Sequence, residues 1–307
     1  MTTIVFSHPS SEAHDTGAGH PERPDRIRAV LQALNHDDFG GLTRREALAA
    51  GIDQIARVHP DGFAERVLAA VPDEGTIRID ADTVMSPASG EAALRAAGAL
   101  IGAVDAVVSG AAENAFCAIR PPGHHAEPDR GMGFCLFNNV AIAAAHARAE
   151  HGLEKIAVVD FDVHHGNGTQ AYFEQDPALF FGSTHEYPLY PGTGAASETG
   201  VGNIFNAPLS PGSGSQAFRA AMDDLILPAL RNFDPDLILI SAGFDGHERD
   251  PLASLRLGED DFAWVTGRIC EIAGEKCGGR VVSTLEGGYD LEALAASVTA
   301  HVKALIA

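Results

Sequence analysis

The chain has 307 residues, enough to bury a sizeable core in one large domain or two modest ones. Acidic side chains outnumber basic ones 42 to 21, and the formal charge of −21 argues against nucleic acid or anionic lipid as partners while drawing cationic molecules. Four cysteines without a CxxC pair, a polar N-terminus and interrupted apolar stretches argue against a disulfide framework, a signal peptide and a membrane span, so a cytoplasmic location is expected.

Residues 4–6 read as a short strand. Residues 24–34 carry apolar side chains at helical spacing, with Pro24 suited to a first turn. An alanine-rich stretch, 91–108, predicts a helix, 116–119 a strand ending before Pro121-Pro122, and 140–150 another helix. The β-branched run 156–159 stops sharply at Asp160. A short helix at 170–174, a strand at 179–181 and a helix at 217–230 follow. Residues 237–240 predict a strand, 261–273 a helix, 280–284 a strand and 291–305 a closing helix. Repeated strand–loop–helix units imply an α/β fold with a central, mostly parallel sheet covered on both faces. No repeat, linker or break divides the sequence, so a single domain over 1–307 is expected.

The polar motifs follow the strands: RPPGHH, DFDVHHGNG, SAGFD and LEGGY. Ligand sites of open α/β sheets lie beyond the carboxyl ends of strands, so these loops can converge on one pocket. Asp160, Asp162 and His164 alternate along an extended segment and can aim to one side. With Asp245 from another strand end, Asp162 and His164 form a ligand set suited to a borderline divalent ion. Alone, an aspartate after a strand is also a common helix cap. His165 points away from its neighbour in an extended chain and is not expected to share the ion.

His124 and His125 follow Pro121-Pro122-Gly123 and can supply the acid and base of amide hydrolysis, with Asp160 and Asn167 placed to fix their tautomers. Tyr289, after Gly287-Gly288, can donate to a developing oxyanion. No GxGxxG, GxxxxGK[ST] or GxSxG motif points to a nucleotide site or a serine nucleophile.

At this point the residues resemble the histone deacetylase family, with its three-layer, arginase-like α/β fold. The resemblance runs through HPERPDR, RPPGHH, GFCLFNN, DFDVHHGNGTQ, YPGTG, SAGFDGH and EGGYD, and covers nearly the whole chain. It implies that Asp162, His164 and Asp245 bind one zinc ion, with Fe2+ or Co2+ as other candidates. It implies that His124 and His125 are the proton-transfer pair, with Asp160 behind His124 and Asn167 behind His125, as in the class II branch. Tyr289 would polarise the substrate carbonyl. Phe134 and Tyr190 would wall the acyl-lysine channel, Tyr190 standing where phenylalanine is usual. Structural potassium or sodium ions are implied as well. An inner one would lie at Asp160, Asp162, His164, Ser183 and Thr184, and an outer one at the carbonyls of Phe173, Asp176 and Leu179.

The expected activity is hydrolysis of an acyl amide, with an acylated amine, peptide or protein as substrate. Leu252 matches the apolar residue of lysine deacetylases, where a glutamate would favour an acetylated polyamine. An acetylpolyamine amidohydrolase, dimeric if dimerisation narrows its entrance, is the alternative within the same chemistry. An arginase-type hydrolase would need more carboxylate ligands for two ions, and a non-catalytic acyl-amine binding protein would not need the full set of side chains.

Overall fold

Residues 2–60 and 62–307 are described in the computed structural model. The chain opens with β1 (Thr3–Ser7), α1 (Ser10–Ala13), α2 (Pro24–Leu34), β2 (Thr43–Glu46), α3 (Ile52–Ile55) and α4 (Phe63–Ala69). A small antiparallel pair, β3 (Ile77–Arg78) and β4 (Val84–Met85), precedes α5 (Ser89–Val108), β5 (Asn114–Cys117) and α6 (Asn139–His151). Next come β6 (Ile156–Asp160), α7 (Asn167–Phe173), β7 (Leu179–Glu186) and β8 (Ile204–Leu209). The remainder is α8 (Ser215–Ala221), α9 (Leu227–Phe233), β9 (Leu237–Ala242), α10 (Glu259–Lys276), β10 (Val281–Leu285) and α11 (Leu291–Ile306).

Eight strands form one sheet in the order β2-β1-β5-β10-β9-β6-β7-β8, and every pairing in it is parallel. Successive side chains of a strand face opposite ways, and the central strands are apolar on both sides. Ala115, Cys117, Ile156, Val158, Leu237 and Leu239 join the core under α5 and α6. Their neighbours Phe116, Ala157, Val159, Ile238 and Ile240 join the core under α2, α10 and α11. Each large apolar side chain so buried contributes roughly 1.5–3 kcal/mol. The arrangement is the three-layer α/β fold expected, with a sheet that is wholly rather than mostly parallel.

Several elements differ from the sequence expectation, among them α7, which begins at Asn167, and β7, which runs on to Glu186. The strand at 116–119 begins earlier, at Asn114, whose side chain donates to the Leu305 carbonyl at 2.7 Å. The helix at 217–230 is divided into α8 and α9 by a π-helical turn, Met222–Ile226, with a proline in the first turn of α9. The edge strands β2 and β8 were not anticipated. Among the described residues, no helix is long and apolar enough to cross a membrane.

Candidate active site

Five neighbouring strands, β5-β10-β9-β6-β7, deliver their carboxyl ends to one place. β5 leads to His124 and His125, β10 to Glu286 and Tyr289, β9 to Asp245, β6 to Asp162 and His164, and β7 to Tyr190.

Asp162, His164 and Asp245 are all buried, and their ligand atoms lie within 4.8 Å of one another. Nδ1 of His164 is 3.2 Å from Asp162 Oδ1 and 3.1 Å from Asp245 Oδ2. Backbone N–H groups hold the carboxylates: Gly287 donates to Asp162 Oδ2 at 2.8 Å, and Val163 to Asp245 Oδ1 at 2.9 Å. The backbone approaches so closely that a Cβ on Gly243 would collide with the Asp162 carboxylate, and one on Gly287 with the Asp245 carboxylate. Burial opposes a charge on His164, yet hydrogen bonds and charge from Asp162 and Asp245 raise its pKa to about 10. The same negative potential favours a divalent cation, and two carboxylates with one imidazole nitrogen are a fitting donor set for zinc, iron(II) or cobalt(II). His165 is turned elsewhere, with Nδ1 2.8 Å from Thr193 Oγ1 and Nε2 2.9 Å from Gln170 Oε1.

The rings of His124 and His125 are 4.0 Å apart. His124 Nδ1 lies 2.9 Å from Asp160 Oδ2. Burial opposes the imidazolium, but Asp160 and Asp162 outweigh it and lift the His124 pKa to about 10. His125 Nδ1 lies 2.8 Å from Asn167 Oδ1. The other end of that amide donates to Glu127 Oε1 at 2.7 Å. Because a carboxylate only accepts, the orientation of Asn167 is set, and its oxygen must receive a proton from His125 Nδ1. Nε2 of neutral His125 is then a free base. Burial, then repulsion from His124 and His164, pushes the His125 pKa well below the ordinary imidazole range.

Tyr289 is 6% exposed, with the Arg26 guanidinium 4.8 Å above its ring. Burial and the carboxylates of Asp245 and Asp162, opposed by Arg26, hold its pKa well above that of a free phenol, so it remains an O–H donor. Phe134 packs edge-on to Tyr289 at 5.9 Å and to His20 at 4.9 Å. Its φ of 68° is left-handed, a strained conformation for a bulky residue. Tyr190 stands edge-on to His125 at 5.1 Å and is 37% exposed. Both predicted wall residues therefore flank the centre. Leu252 is half-buried, and its N–H donates to Asp250 Oδ1 at 3.0 Å, while Asp250 Oδ2 accepts the N–H of Tyr289 at 2.7 Å.

Several supporting residues were not singled out from the sequence. Glu286 is fully buried and accepts from the N–H groups of Gly123 at 2.7 Å and His124 at 3.3 Å. Arg26 donates to the carbonyls of Gly288 at 2.6 Å and Glu286 at 2.5 Å, and to Glu22 Oε1 at 3.0 Å. Arg120 also donates to Glu22, at 2.6 Å to Oε2. Burial works against the ionised Glu22, but Arg120 and Arg26 depress its pKa to about 2. The motifs HPERPDR, RPPGHH and EGGYD contained these residues, but their distant partners could not be read from the sequence.

The two monovalent sites fare differently. At the inner one, Asp160 pairs with Ser183 across β6 and β7, and Thr184 Oγ1 is buried without a partner. Gly194 O can only accept, so His185 Nε2 carries the proton in their 2.9 Å hydrogen bond. His185 Nδ1 must then accept from Ser183 Oγ, 2.9 Å away. The oxygen lone pairs of Ser183 remain uncommitted beside Asp160, a good fit to a cation. At the outer site the expected carbonyls already have a protein partner. The carbonyls of Phe173, Asp176 and Leu179 converge on the Asn203 side-chain nitrogen at 2.9, 3.0 and 2.7 Å.

Comparison with known proteins agrees with this geometry. A family model described as histone deacetylase domain matches residues 20–305. The chain is 42% identical to histone deacetylase 10, chloroplastic, of Oryza sativa subsp. japonica, covering 99% of this chain and 73% of the relative. It is 42% identical to the histone deacetylase-like amidohydrolase of Pseudomonas aeruginosa, covering 89% and 73%. A probable deacetylase of Archaeoglobus fulgidus is 40% identical, with 95% and 82% covered. The crystal structure of the HDA15 HD domain superposes with a TM-score of 0.93 at 35% identity, covering 99% of this chain and 88% of that one. With the domain match spanning almost all of the sequence, and relatives matched over most of their own length, the chain belongs to the histone deacetylase family.

Proposed function

We propose that this chain is a zinc-dependent deacetylase that hydrolyses the acetyl amide of a lysine side chain or a related acetylated amine. Deacetylase-type amide hydrolysis follows from the family; the ion and the substrate are the proposed part. The observation that carries it is the approach of the ligand atoms of Asp162, His164 and Asp245 to within 4.8 Å, beside a histidine whose Nε2 is a free base.

Asp162, His164 and Asp245 would hold the divalent ion, which would supply Lewis acidity toward the acyl carbonyl and the attacking water. His125 takes the proton from the attacking water at Nε2. Asn167 holds His125 in the tautomer that allows this. Tyr289 donates its phenolic proton as a hydrogen bond to the acyl oxygen while negative charge grows there. His125, now protonated, gives its proton to the departing amine, and the cationic His124 steadies the negative charge of the surroundings. Phe134 and Tyr190 flank the acyl-bearing stem, and the half-buried Leu252 supports an apolar stem rather than a second cation. A structural potassium or sodium ion at the inner site would be held by Ser183 and the Asp160 segment.

The test is a panel of acetyl-lysine peptides, acetylputrescine and simple amides, assayed with the zinc-loaded chain and with the metal removed by chelation. Acetate release from acetyl-lysine peptides in the zinc form alone is expected. Preference for acetylputrescine would move the substrate to the polyamine class. Inertness toward every amide would sink the proposal.

A further inference from the structure

We propose that the side-chain amide of Asn203 takes the place of the outer monovalent cation that the family implies, so that protein alone closes the turn after α7. Three backbone carbonyls, of Phe173, Asp176 and Leu179, point at a single atom, Asn203 Nδ2, at 2.9, 3.0 and 2.7 Å. Two of them also serve the turn itself. Phe173 O accepts the N–H of Asp176, and Asp176 O accepts the N–H of Leu179, each at 3.0 Å. A carbonyl oxygen has two lone pairs, so the second set is free to converge inward. Such a convergence of negative dipole ends needs a positive partner.

The amide supplies it. Asn203 Oδ1 accepts the N–H of Val201 at 3.2 Å, so the NH2 end faces the carbonyls. The opposite orientation would press an amide oxygen against three carbonyl oxygens. Its two hydrogens serve three acceptors, one of them shared. Asn203 is only 5% exposed, and the loop is built tightly around it. A Cβ on Gly200, which has φ +56°, would come within 2.7 Å of Asn203 Oδ1 and of the Glu174 carbonyl.

An ion touching the same three oxygens would have to occupy the space of Nδ2. It would also find no formal negative charge from Asp176. That carboxylate is engaged by Arg148 Nη1 at 2.5 Å and by the Ala178 N–H at 2.9 Å. An ion there would have to displace a side chain that already satisfies all three carbonyls. The inner site differs in that no side-chain amide among the described residues fills it, and the Ser183 lone pairs remain uncommitted. The outer ring is therefore closed by protein alone.

The experiment uses crystals of the full chain grown with thallium(I) in place of potassium, and the anomalous map. No peak is expected between the three carbonyls in the unaltered chain. N203A, which removes the amide, should gain a peak there. Its melting temperature should rise by several degrees more than that of the unaltered chain when potassium chloride replaces choline chloride. N203S provides the same comparison if N203A does not fold. A thallium peak at these carbonyls in the unaltered chain, with Asn203 displaced, overturns the proposal. Absence of a peak in both the unaltered and the substituted chain also overturns it, because the ring would then be no ion site at all.

Discussion

The amide oxygen of Asn167 accepts the Nδ1 proton of His125 at 2.8 Å, and because this partner carries no charge, burial and repulsion from His124 and His164 keep His125 a weak base. An aspartate in the same place would favour the imidazolium. Near a histidine, such a charge raises the pKa by about 1–3 units. Since the base must be unprotonated to act, N167D should move the acidic limb of the kcat/KM profile to higher pH. The pH–rate profile checks this, and an unmoved limb would remove His125 from the role of base.

Tyr289 is a neutral phenol in a buried place, with Arg26 over its ring and Asp250 holding its backbone. Loss of one oxyanion donor costs roughly 10²–10³ in turnover. Y289F should lose about that much kcat while retaining its metal, since the phenol is not a ligand in the Asp162, His164 and Asp245 cluster. Kinetics alongside elemental analysis would show the separation. Normal turnover would mean that the oxyanion is stabilised elsewhere.

D245A should lose metal, because one of two carboxylate ligands is gone. G287A should lose it too, although it deletes no ligand, because the added methyl collides with the carboxylates of Asp245 and Asp162. Even an outer partner of a metal ligand is worth about 10- to 100-fold in affinity, so both losses should be visible by titration against a chelator. Retention of a tightly held ion in G287A would contradict the close approach.

The contrast between these positions explains what the sequence could reveal. Strands such as β6 and β9 announce themselves because both faces are buried and nearly every residue is apolar. β2 does not: all four side chains are polar and exposed, and backbone pairing with β1 alone makes it a strand. β8 carries Pro208 and lies at the other sheet edge, where a missing N–H is tolerated. The reacting groups were legible because motif order placed them at strand ends. Glu286, Arg26 and Asn203 were not, because their partners lie far away in the chain. Asn203, for instance, meets Phe173 across 30 positions. A buried acidic residue directly after an apolar strand, as in Leu285-Glu286, was the one local signal for Glu286.

Acid stability offers a test away from the catalytic centre. His301 is fully buried between Thr266 Oγ1, 2.6 Å from its Nδ1, and Ser283 Oγ, 2.8 Å from its Nε2. Thr266 gives its hydroxyl proton to the Phe262 carbonyl at 2.6 Å, so it accepts from Nδ1, and Nε2 accepts from Ser283. The neutral ring is satisfied, and burial lowers its pKa from 6.5 to about 3. Between those values the unfolded chain binds a proton that the folded chain does not. This contribution to stability is therefore complete above pH 6.5 and is lost as pH falls toward 3, at up to about 1.4 kcal/mol per pH unit. H301Q should be less stable at pH 8 by about 1–3 kcal/mol through poorer hydrogen bonding. Its stability should nevertheless fall less steeply between pH 6 and pH 4.5, by one proton's share, in urea unfolding monitored across that range. An unchanged slope would show that His301 is protonated in the fold or that its ring titrates alike in both states.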